Sequence, residues 1–307
     1  MKQKIVLSTN KLLYDLFNFE FEDEKIKEGK DYIDKECVDI YYIDFNYESS
    51  QNSTFRVRVY SQEKDNLRFT IYEKMMLLIL ISNARQSNSD NYSISMRKIK
   101  SIRGLKDNSL NTYNCYKMAL DRLKKKNIKM IPIKVSRNYQ MKIIKCSLLS
   151  ISNEVLIKSR IAEFNYSFNG LDTSLVKNSQ KITTYYNPFS FIFKKYFSFQ
   201  MCLHLFRLIA LNKTAAMSAK SFSYQLMLKQ IRKVDSKGFI ENTTYYDYVV
   251  GAGNKQAELL KKSFEELEII LKQFVKYDVI KGFSISKRRT FKYLRDDEVK
   301  IGIKFIK

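Results

Sequence analysis

A helix that leads into two short strands decides the fold, and it lies in residues 108–149, NSLNTYNCYKMALDRLKKKNIKMIPIKVSRNYQMKIIKCSLL. Apolar residues at helical spacing predict a helix from about Asn108 to Asn127. Two β-leaning runs follow, Ile128–Val135 and Gln140–Leu149, and the polar residues between them predict a turn. The stretch therefore predicts a helix that continues directly into a β-hairpin.

Two more helices are predicted upstream of this stretch. Thr70 and Glu73 form a capping box, so a helix begins there and continues to Ile81. Ser95 caps a second helix at Met96–Arg103. Three helices and a hairpin are the order of a winged helix-turn-helix, in which the third helix enters the major groove and the hairpin, or wing, lies along the DNA backbone.

Residues 1–50 differ in charge from the rest of the chain. They contain 7 Lys and Arg against 12 Asp and Glu. A short helix at Asn10–Phe19 and an acidic connection are predicted, followed by strands at Val38–Tyr47 and Thr54–Tyr60, where apolar and polar residues alternate. We expect residues 1–50 to be an acidic extension that packs on the first domain.

The second half of the chain repeats the plan of the first. Helices are predicted at Ser198–Asn212, Ser221–Lys233 and Lys255–Tyr277, and hairpin strands at Val279–Ser286 and Val299–Ile306. The predicted fold class is therefore α+β, with two tandem winged-helix domains. The first domain is expected at residues 51–180 and the second at residues 181–307.

An offset of 151 residues superimposes the apolar positions of the two long helices. It carries four positions of the later helix onto four of the earlier one, and Val279 at the predicted strand start onto Ile128. The matched positions are Phe264, Leu267, Leu271 and Phe274 with Tyr113, Tyr116, Leu120 and Leu123. This indicates an internal repeat, although any two amphipathic helices can be aligned by sliding.

The placement of positive charge indicates a nucleic-acid partner. The formal net charge is +23, and 41 of the 55 basic residues are Lys. An AT-rich genome would produce such usage without a functional cause, so the placement of the charge is stronger evidence than its total. Residues 95–145 contain 15 Lys and Arg against 2 acidic residues, and residues 281–295 contain 6 against none. Two separated basic stretches predict two contact surfaces for a polyanion.

The candidate DNA-binding residues lie on the predicted second and third helices and hairpins of both domains. Cations suit phosphates, Asn suits adenine and Lys suits guanine. In the first domain they are Arg97, Lys98, Lys100, Arg103, Asn111, Thr112, Lys117 and Arg137. In the second domain they are Asn254, Lys255, Lys261, Lys262, Lys287, Arg288, Arg289 and Lys292.

Composition argues against metal, nucleotide and membrane chemistry. The 4 Cys are widely spaced and the chain has 1 His, so we expect neither a zinc site nor a disulfide, but packed thiols in a reducing compartment. With 8 Gly, no phosphate-binding loop motif occurs, and no cofactor is expected. The longest apolar run, Met75–Ile81, is about a third of the roughly 20 residues that span a bilayer. No signal peptide is evident, and a cytoplasmic location is expected.

One enzymatic alternative remains open. His204-Leu-Phe-Arg207 resembles the His-x-x-Arg box of tyrosine recombinases, with Tyr245, Tyr246 or Tyr248 as the nucleophile. No convincing first arginine box accompanies it, and a long helix follows the candidate tyrosines. We therefore expect a protein that is not an enzyme, with His204 on an amphipathic helix.

The overall arrangement resembles the initiator (Rep) proteins of theta-replicating plasmids, which contain two winged-helix domains. The resemblance covers about residues 54–307. It depends on TIYEKMMLLILIS (70–82), MALDRLKKKNIKMIPI (118–133) and FEELEIILKQFVKYDVIKGFSI (264–285).

The resemblance implies a protein that binds double-stranded DNA at repeated origin sites, helps to open the origin and recruits host helicase and initiator proteins. It also implies possible homodimerisation through the first domain. A winged-helix transcription regulator is the alternative, because it would use the same DNA surface. Tandem direct repeats beside an AT-rich stretch in the neighbouring DNA favour the initiator, and a lone inverted repeat favours the regulator.

Overall fold

A computed structural model of the chain defines two compact units. It describes residues 5–9, 11–18, 26–33, 35–48, 53–87, 92–103, 110–134, 143–171, 175–176, 180–184, 205, 214–218, 256–287 and 300–306. The N-terminal unit comprises Asn10–Ser179 with Ser236–Phe239. The C-terminal unit comprises Met1–Thr9, Gln180–Asp235 and Ile240–Lys307.

An antiparallel five-stranded sheet forms one layer of the N-terminal unit. Its strands are β2 (Lys27–Ile33), β3 (Glu36–Glu48), β4 (Thr54–Ser61), β6 (Asn127–Lys134) and β7 (Ile144–Ser147), in the order β2-β3-β4-β6-β7. The strands predicted at Val38–Tyr47 and Thr54–Tyr60 are confirmed. Strand β2 was not predicted, because its residues KEGKDYI are mostly exposed and charged and lack an apolar alternation.

The acidic part of the sequence is divided between the two units. Strands β2 and β3 lie within residues 1–50 and are integral to the five-stranded sheet, and helix α1 (Lys11–Asn18) belongs to the same unit. Strand β1 (Ile5–Thr9) instead pairs with β10 (Gln180–Thr184) in the C-terminal unit.

Helix α2 (Ile71–Ala84) is the buried centre of the N-terminal unit. The predicted capping box is present: the Glu73 backbone N–H donates to Thr70 Oγ1 at 3.2 Å, and the Thr70 N–H donates to Glu73 Oε2 at 2.8 Å. The run Met75–Ile81 is fully buried. A helix that is apolar on all sides must be covered on all sides, and α2 accordingly organises the elements packed around it.

Two further helices confirm the predicted helix-turn-helix order. Strand β5 (Tyr92–Ser95) leads into α3 (Met96–Arg103), where Ser95 Oγ accepts from the Lys98 N–H at 3.1 Å. Helix α4 (Leu110–Lys124) follows and packs against α2.

A buried ion cluster ties the start of α2 to the end of α4. Lys126 Nζ lies 2.6 Å from Glu73 Oε1, and the side chains of both residues are 0% exposed. Arg122 Nε donates to Glu73 Oε2 at 3.0 Å, and Lys126 also donates to the Asn66 carbonyl oxygen. The Glu73 carboxylate therefore holds the cap of one helix and the last turn of another.

A second, three-stranded sheet completes the winged helix of the N-terminal unit. Its strands are β5, β8 (Ser150–Ile157) and β9 (Arg160–Ser167), in the order β5-β9-β8. The strand that precedes the helix-turn-helix thus pairs with the second strand of the β8–β9 hairpin. We call this hairpin the N-terminal wing.

The prediction that residues 128–149 form the wing is wrong. Strands β6 and β7 do pair as a hairpin, but β6 also pairs with β4, so both strands belong to the five-stranded sheet. The buried residues Ile128 and Met130 of β6 lie opposite Val59 and Val57 of β4, which extends one apolar face across both strands.

The C-terminal unit contains the same strand order. Strand β11 (Thr214–Ser218), helix α5 (Gln256–Lys276) and strands β12 (Gly282–Lys287) and β13 (Lys300–Ile306) follow one another, with the sheet order β11-β13-β12. Once more the strand that precedes the helix pairs with the last strand of the hairpin. The chain is an α+β protein with two winged-helix units, as predicted.

The repeat holds for the helices but not for the strand after them. All four matched positions are buried in α4, and in α5 Leu267, Leu271 and Phe274 are buried, while the side chain of Phe264 lies outside the described part. Val279, however, lies in a bend before β12 begins at Gly282, and its partner Ile128 lies in β6. The β6–β7 hairpin is therefore an insertion between α4 and the N-terminal wing. Of the helices predicted at Ser198–Asn212 and Ser221–Lys233, only the buried, helical Leu205 lies within the described residues.

The two outer strands of the five-stranded sheet are joined by a lysine. Lys145 Nζ in β7 donates to Asp31 Oδ1 and to the Tyr32 carbonyl oxygen in β2, each at 2.7 Å. Burial acts to raise the pKa of Asp31, but hydrogen bonds from Lys145 and from the Tyr32 backbone N–H outweigh it and lower that pKa below its usual value. The sheet thus curls until its edges meet through an ion pair.

Cysteine exposure corrects one expectation. Cys115 and Cys146 are half-buried, but Cys37 is exposed on β3, so it is not a packed thiol.

Within the described ranges, no helix is both long and apolar enough to cross a membrane.

We predict that Lys126→Met lowers the free energy of unfolding of the N-terminal unit by about 3–5 kcal/mol, because it removes the fully buried one of the two cations that face the Glu73 carboxylate. Urea unfolding of the full chain, followed by near-ultraviolet circular dichroism, measures the change. The control is Lys125→Met at the neighbouring residue, whose exposed pair with Glu63 spans 3.2 Å, and which should cost less than about 1 kcal/mol. Equal losses for the two variants would contradict the role of the buried cluster.

We also predict that Asp31→Asn makes stability less dependent on pH in acid. Because the pKa of Asp31 is lowered on folding, its contribution is present above the ordinary value of 3.8 and is lost as pH falls through the lowered value. The unfolding free energies of wild type and variant should thus differ at pH 6 and converge in acid. Asp39→Asn, at an exposed residue 3.9 Å from Lys30, is the control. A wild-type to Asp31→Asn difference that stays constant with pH would exclude the proposed linkage.

Candidate nucleic-acid interface

Helix α4 has one buried face and one exposed face. The buried residues are Tyr113, Tyr116, Ala119, Leu120 and Leu123. The exposed residues on the other side are Leu110, Asn111, Asn114, Lys117 and Met118. The helix is therefore held by one face and presents a mixed polar and apolar face to solvent.

The exposed face of α4 carries the chemistry that reads base edges. Asn111 and Asn114 have amides that can donate to and accept from adenine, and Lys117 suits guanine or phosphate. Leu110 and Met118, each more than half exposed, suit the methyl group of thymine. These two apolar residues were not among the predicted contacts, although each lies four residues from Asn114, which places them on the same face of the helix.

The N-terminal wing ends in a tight two-residue turn. Lys158 and Ser159 have φ angles of 49° and 61°, and Ile157 pairs with Arg160 across the turn. Two consecutive positive φ angles are characteristic of a type I′ turn, which matches the twist of the flanking strands and makes a hairpin compact. The exposed cations Lys158 and Arg160 are therefore held at a defined tip.

Two contacts fix the N-terminal wing along α4. Near the tip, the Ile161 backbone N–H donates to Tyr113 Oη at 2.9 Å, and the Arg160 guanidinium lies 5.7 Å from the centre of the Tyr113 ring. Near the other end of the helix, Lys124 Nζ lies 3.5 Å from Glu154 Oε1 in β8. The wing tip thus lies beside the first turns of α4, where Asn111 and Asn114 are exposed.

Sequence reasoning did not find Lys158, Arg160 or the anchoring role of Tyr113. The signal is the run Val155–Ile157, two residues that can turn, and then Arg160–Ile161, which is a hairpin pattern. The earlier hairpin pattern at residues 128–149 was assigned as the wing in its place.

Of the predicted contacts on α3, Arg97 and Lys98 are both exposed, but the Lys98 side chain is bonded to the core. Lys98 Nζ donates to Asn83 Oδ1 at 2.7 Å, and Asn83 Nδ2 donates to Tyr166 Oη at 2.9 Å. Burial raises the pKa of Tyr166 far above its usual value, so this hydroxyl stays protonated. Lys100 is half-buried. In a helix-turn-helix, the helix before the recognition helix crosses the DNA backbone, which suits Arg97.

The remaining predicted residues lie in three groups. Thr112 is half-buried at the start of α4. Arg103 lies on α3, Lys261 and Lys262 on α5 and Lys287 at the end of β12, with their side chains outside the described part. Arg137, Asn254, Lys255, Arg288, Arg289 and Lys292 lie outside the described residues, as do His204, Arg207, Tyr245, Tyr246 and Tyr248.

A polar cavity of about 700 Å³ lies on the N-terminal unit near the joined edges of the five-stranded sheet. Lys124, Lys125 and Lys145 line it, with Tyr60 and Ser147. Burial raises the pKa of Tyr60 to about 12, so its hydroxyl remains a hydrogen-bond donor at neutral pH. Among the described residues, no group of three or more His, Cys, Asp or Glu side chains is arranged to hold a metal ion.

Comparisons with known proteins found similarity to solved structures. No protein-family model matches the chain, and no curated protein matches it. A crystal structure of RctB domains 2-3 is similar with a TM-score of 0.46 and 11% identity, covering 87% of this chain and 91% of that one. A structure of SeMet derivatives of domain2 and domain 3 of RctB has a TM-score of 0.45 and 11% identity, covering 86% and 91%.

We predict that Tyr113→Phe loosens the N-terminal wing from α4. The substitution removes the acceptor of the buried Ile161 N–H and should cost about 1–3 kcal/mol. Amide hydrogen exchange should show faster exchange at Ile161 with little change in the middle of α2. Tyr32→Phe, at a well-exposed tyrosine, is the matched control. Unchanged exchange at Ile161 in Tyr113→Phe would show that the hydrogen bond does not hold the wing.

Proposed function

We propose that the chain is a sequence-specific double-stranded-DNA-binding protein that acts as a plasmid replication initiator in the cytoplasm. One observation carries the DNA-binding part: the N-terminal wing is fixed to α4 through Tyr113, so an exposed reading face and a cationic tip form one surface. The second winged-helix unit and the two basic stretches of the sequence support the same assignment.

In the proposed complex, α4 lies in the major groove and the N-terminal wing contacts the flanking backbone. Asn111 and Asn114 contact adenine, and Leu110 and Met118 contact thymine methyl groups, so the reading face favours A·T pairs. Lys158 and Arg160 contact phosphates and position the helix without reading sequence. The base contacts of α4 would then supply specificity, and the phosphate contacts of the wing would supply affinity.

The initiator part of the proposal is supported by the duplication of the winged helix and by the sequence resemblance to Rep proteins. Two linked DNA-binding units raise the effective concentration of the second for a neighbouring site. This suits repeated sites at an origin. Origin opening, recruitment of host helicase and initiator proteins, and homodimerisation are parts of the same proposal.

We further propose that the protein acts without catalysis on DNA. Covalent capture of DNA through Tyr245, Tyr246 or Tyr248 would overturn this part and favour the recombinase alternative. Denaturing gel analysis of the protein after incubation with labelled duplex distinguishes a covalent adduct from a reversible complex.

A transcription regulator is the second candidate, and the cavity beside the five-stranded sheet favours it. Lys124, Lys125 and Lys145 line the cavity together with Glu63, and each lysine is paired with a carboxylate, so an anionic effector would bind there by competing with these carboxylates. Lys124 also contacts Glu154 of the N-terminal wing, so an anion that recruits this lysine would release the wing contact. Footprinting on the flanking DNA separates the candidates: protected direct repeats beside an AT-rich stretch favour the initiator, and one inverted repeat favours the regulator.

We predict that Lys158→Ala with Arg160→Ala weakens binding to all duplexes and lowers the salt slope. Each lost phosphate contact reduces the slope by about 0.9, so the pair should reduce it by about two units. Fluorescence anisotropy at several salt concentrations measures the slope.

The control for this prediction removes the same charge elsewhere. Lys27→Ala with Lys30→Ala changes two exposed lysines on β2, away from α4 and the wing. The control should leave the slope within about half a unit of wild type. If both double variants lower the slope equally, total charge and not the wing governs binding.

A further inference from the structure

The tip of the N-terminal wing carries a run of exposed aliphatic residues. Val155, Leu156 and Ile157 are 52%, 59% and 61% exposed. Successive residues of a strand point to opposite faces, so Leu156 and Ile157 are exposed on opposite faces of β8, although Ile161, the partner of Leu156 on β9, is buried. Clustered exposed apolar residues mark an interaction surface more often than isolated ones do.

The surroundings of this run are cationic. Lys158 and Arg160 flank it at the turn, and the nearest acidic side chains already have partners. Glu154 lies 3.5 Å from Lys124 Nζ, and Glu163 accepts from Ser93 Oγ at 2.7 Å. The tip therefore combines exposed aliphatic residues with two cations at the turn, which is complementary to a groove lined by phosphates.

The free edge of β8 does not favour pairing with a strand of another protein. The pairing of β8 with β9 is irregular between Ser152 and Val155, and Asn153 has a φ of 48°. Irregular edges of this kind discourage the addition of a further strand. The aliphatic residues are thus better placed to insert end-on than to extend the sheet.

We propose that Leu156 and Ile157 form a wedge that inserts between base steps in the minor groove and bends the DNA bound by α4. The inference rests on the proposed DNA-binding function and adds deformation of the duplex to it. Leu and Ile side chains that enter the minor groove partly unstack a base step and kink the duplex by about 20–90°. The rigid two-residue turn and the Tyr113 contact hold the wedge at a fixed distance from the reading helix.

A wedge on the wing also gives the N-terminal unit a preference that its reading helix does not supply. Pyrimidine–purine steps such as TA unstack at low cost, so a wedge favours sites that contain them. Specificity for such a step would then come from deformability and not from a hydrogen bond to the base.

The test measures bending with the full chain and a defined probe. The probe is a mixed-sequence duplex of about 40 base pairs, roughly four helical turns, with a central TA-rich segment and a donor and an acceptor dye at its ends. Wild-type protein should raise the energy transfer between the dyes. Leu156→Ala with Ile157→Ala should reduce the change in bend angle by about half or more, and should leave the salt slope unchanged because the phosphate contacts remain.

Two further variants isolate the wedge from general effects. Ile133→Ala with Ile143→Ala removes two comparably exposed aliphatic residues from the five-stranded sheet side of the unit and should bend DNA as wild type does. Leu156→Phe with Ile157→Phe keeps a bulky apolar tip and should restore bending. Thermal unfolding of each variant, compared with wild type, shows whether lost bending comes from lost structure.

Each other outcome overturns the inference. If the alanine variant binds and bends as wild type does, the tip is not a wedge. If sedimentation experiments show that wild-type protein is a dimer and that the alanine variant is a monomer, the loss of bending comes from dissociation. The tip is then an interface with a second copy of the chain. If wild-type protein binds neither this duplex nor any site in the footprinted flanking DNA, the proposed function fails together with the wedge, whereas binding without wing-dependent bending leaves the proposed function standing.

Discussion

The buried carboxylate of Glu73 is the contact on which the rest of the N-terminal unit depends. It accepts a hydrogen bond from the backbone N–H of Thr70, the cap of its own helix. It also lies against two cations at the end of α4, Arg122 and Lys126. Strand β6 begins one residue later, at Asn127. One carboxylate therefore holds the last turn of α4 and the point at which β6 begins. Replacing the whole cluster by apolar residues is compatible with a stable core, but removing one partner is not.

How much of this structure the sequence predicts depends on the range of the interactions. The caps at Thr70 and Ser95 act over three residues, and the helices that they start were predicted correctly. The wing was not, because the two successive hairpin patterns satisfy the same local rules. The choice between them is made by β5, whose partner β9 lies far along the chain: Ser93 reaches Glu163 across 70 residues. No local pattern records that pairing.

The candidate site shows the same division. Asn111 and Lys117 were predicted because the exposed face of an amphipathic helix follows from its buried stripe. The sequence pattern places Lys98 on the polar face of α3, but its Nζ donates a hydrogen bond to Asn83, and this bond joins α3 to α2. Arg160 was not identified as a candidate from the sequence, because its position beside α4 depends on the packing of its guanidinium against the Tyr113 ring. Residue spacing therefore predicts which side chains share one face of a helix. Which of these side chains lie next to the wing depends on how the wing packs against the helix.

The insertion of β6 and β7 between α4 and the N-terminal wing has a consequence for the order of events during synthesis. The hydrogen bond from Ile161 to Tyr113 closes a loop of 48 residues. The ribosome therefore makes the complete helix α4 well before the strand that holds the wing against it. Closing such a loop carries an entropic cost that grows with its length. A chain that ends within the inserted hairpin contains the residues of α4 but not those of the wing, so the contact between Ile161 and Tyr113 can form only after the whole insertion has been made.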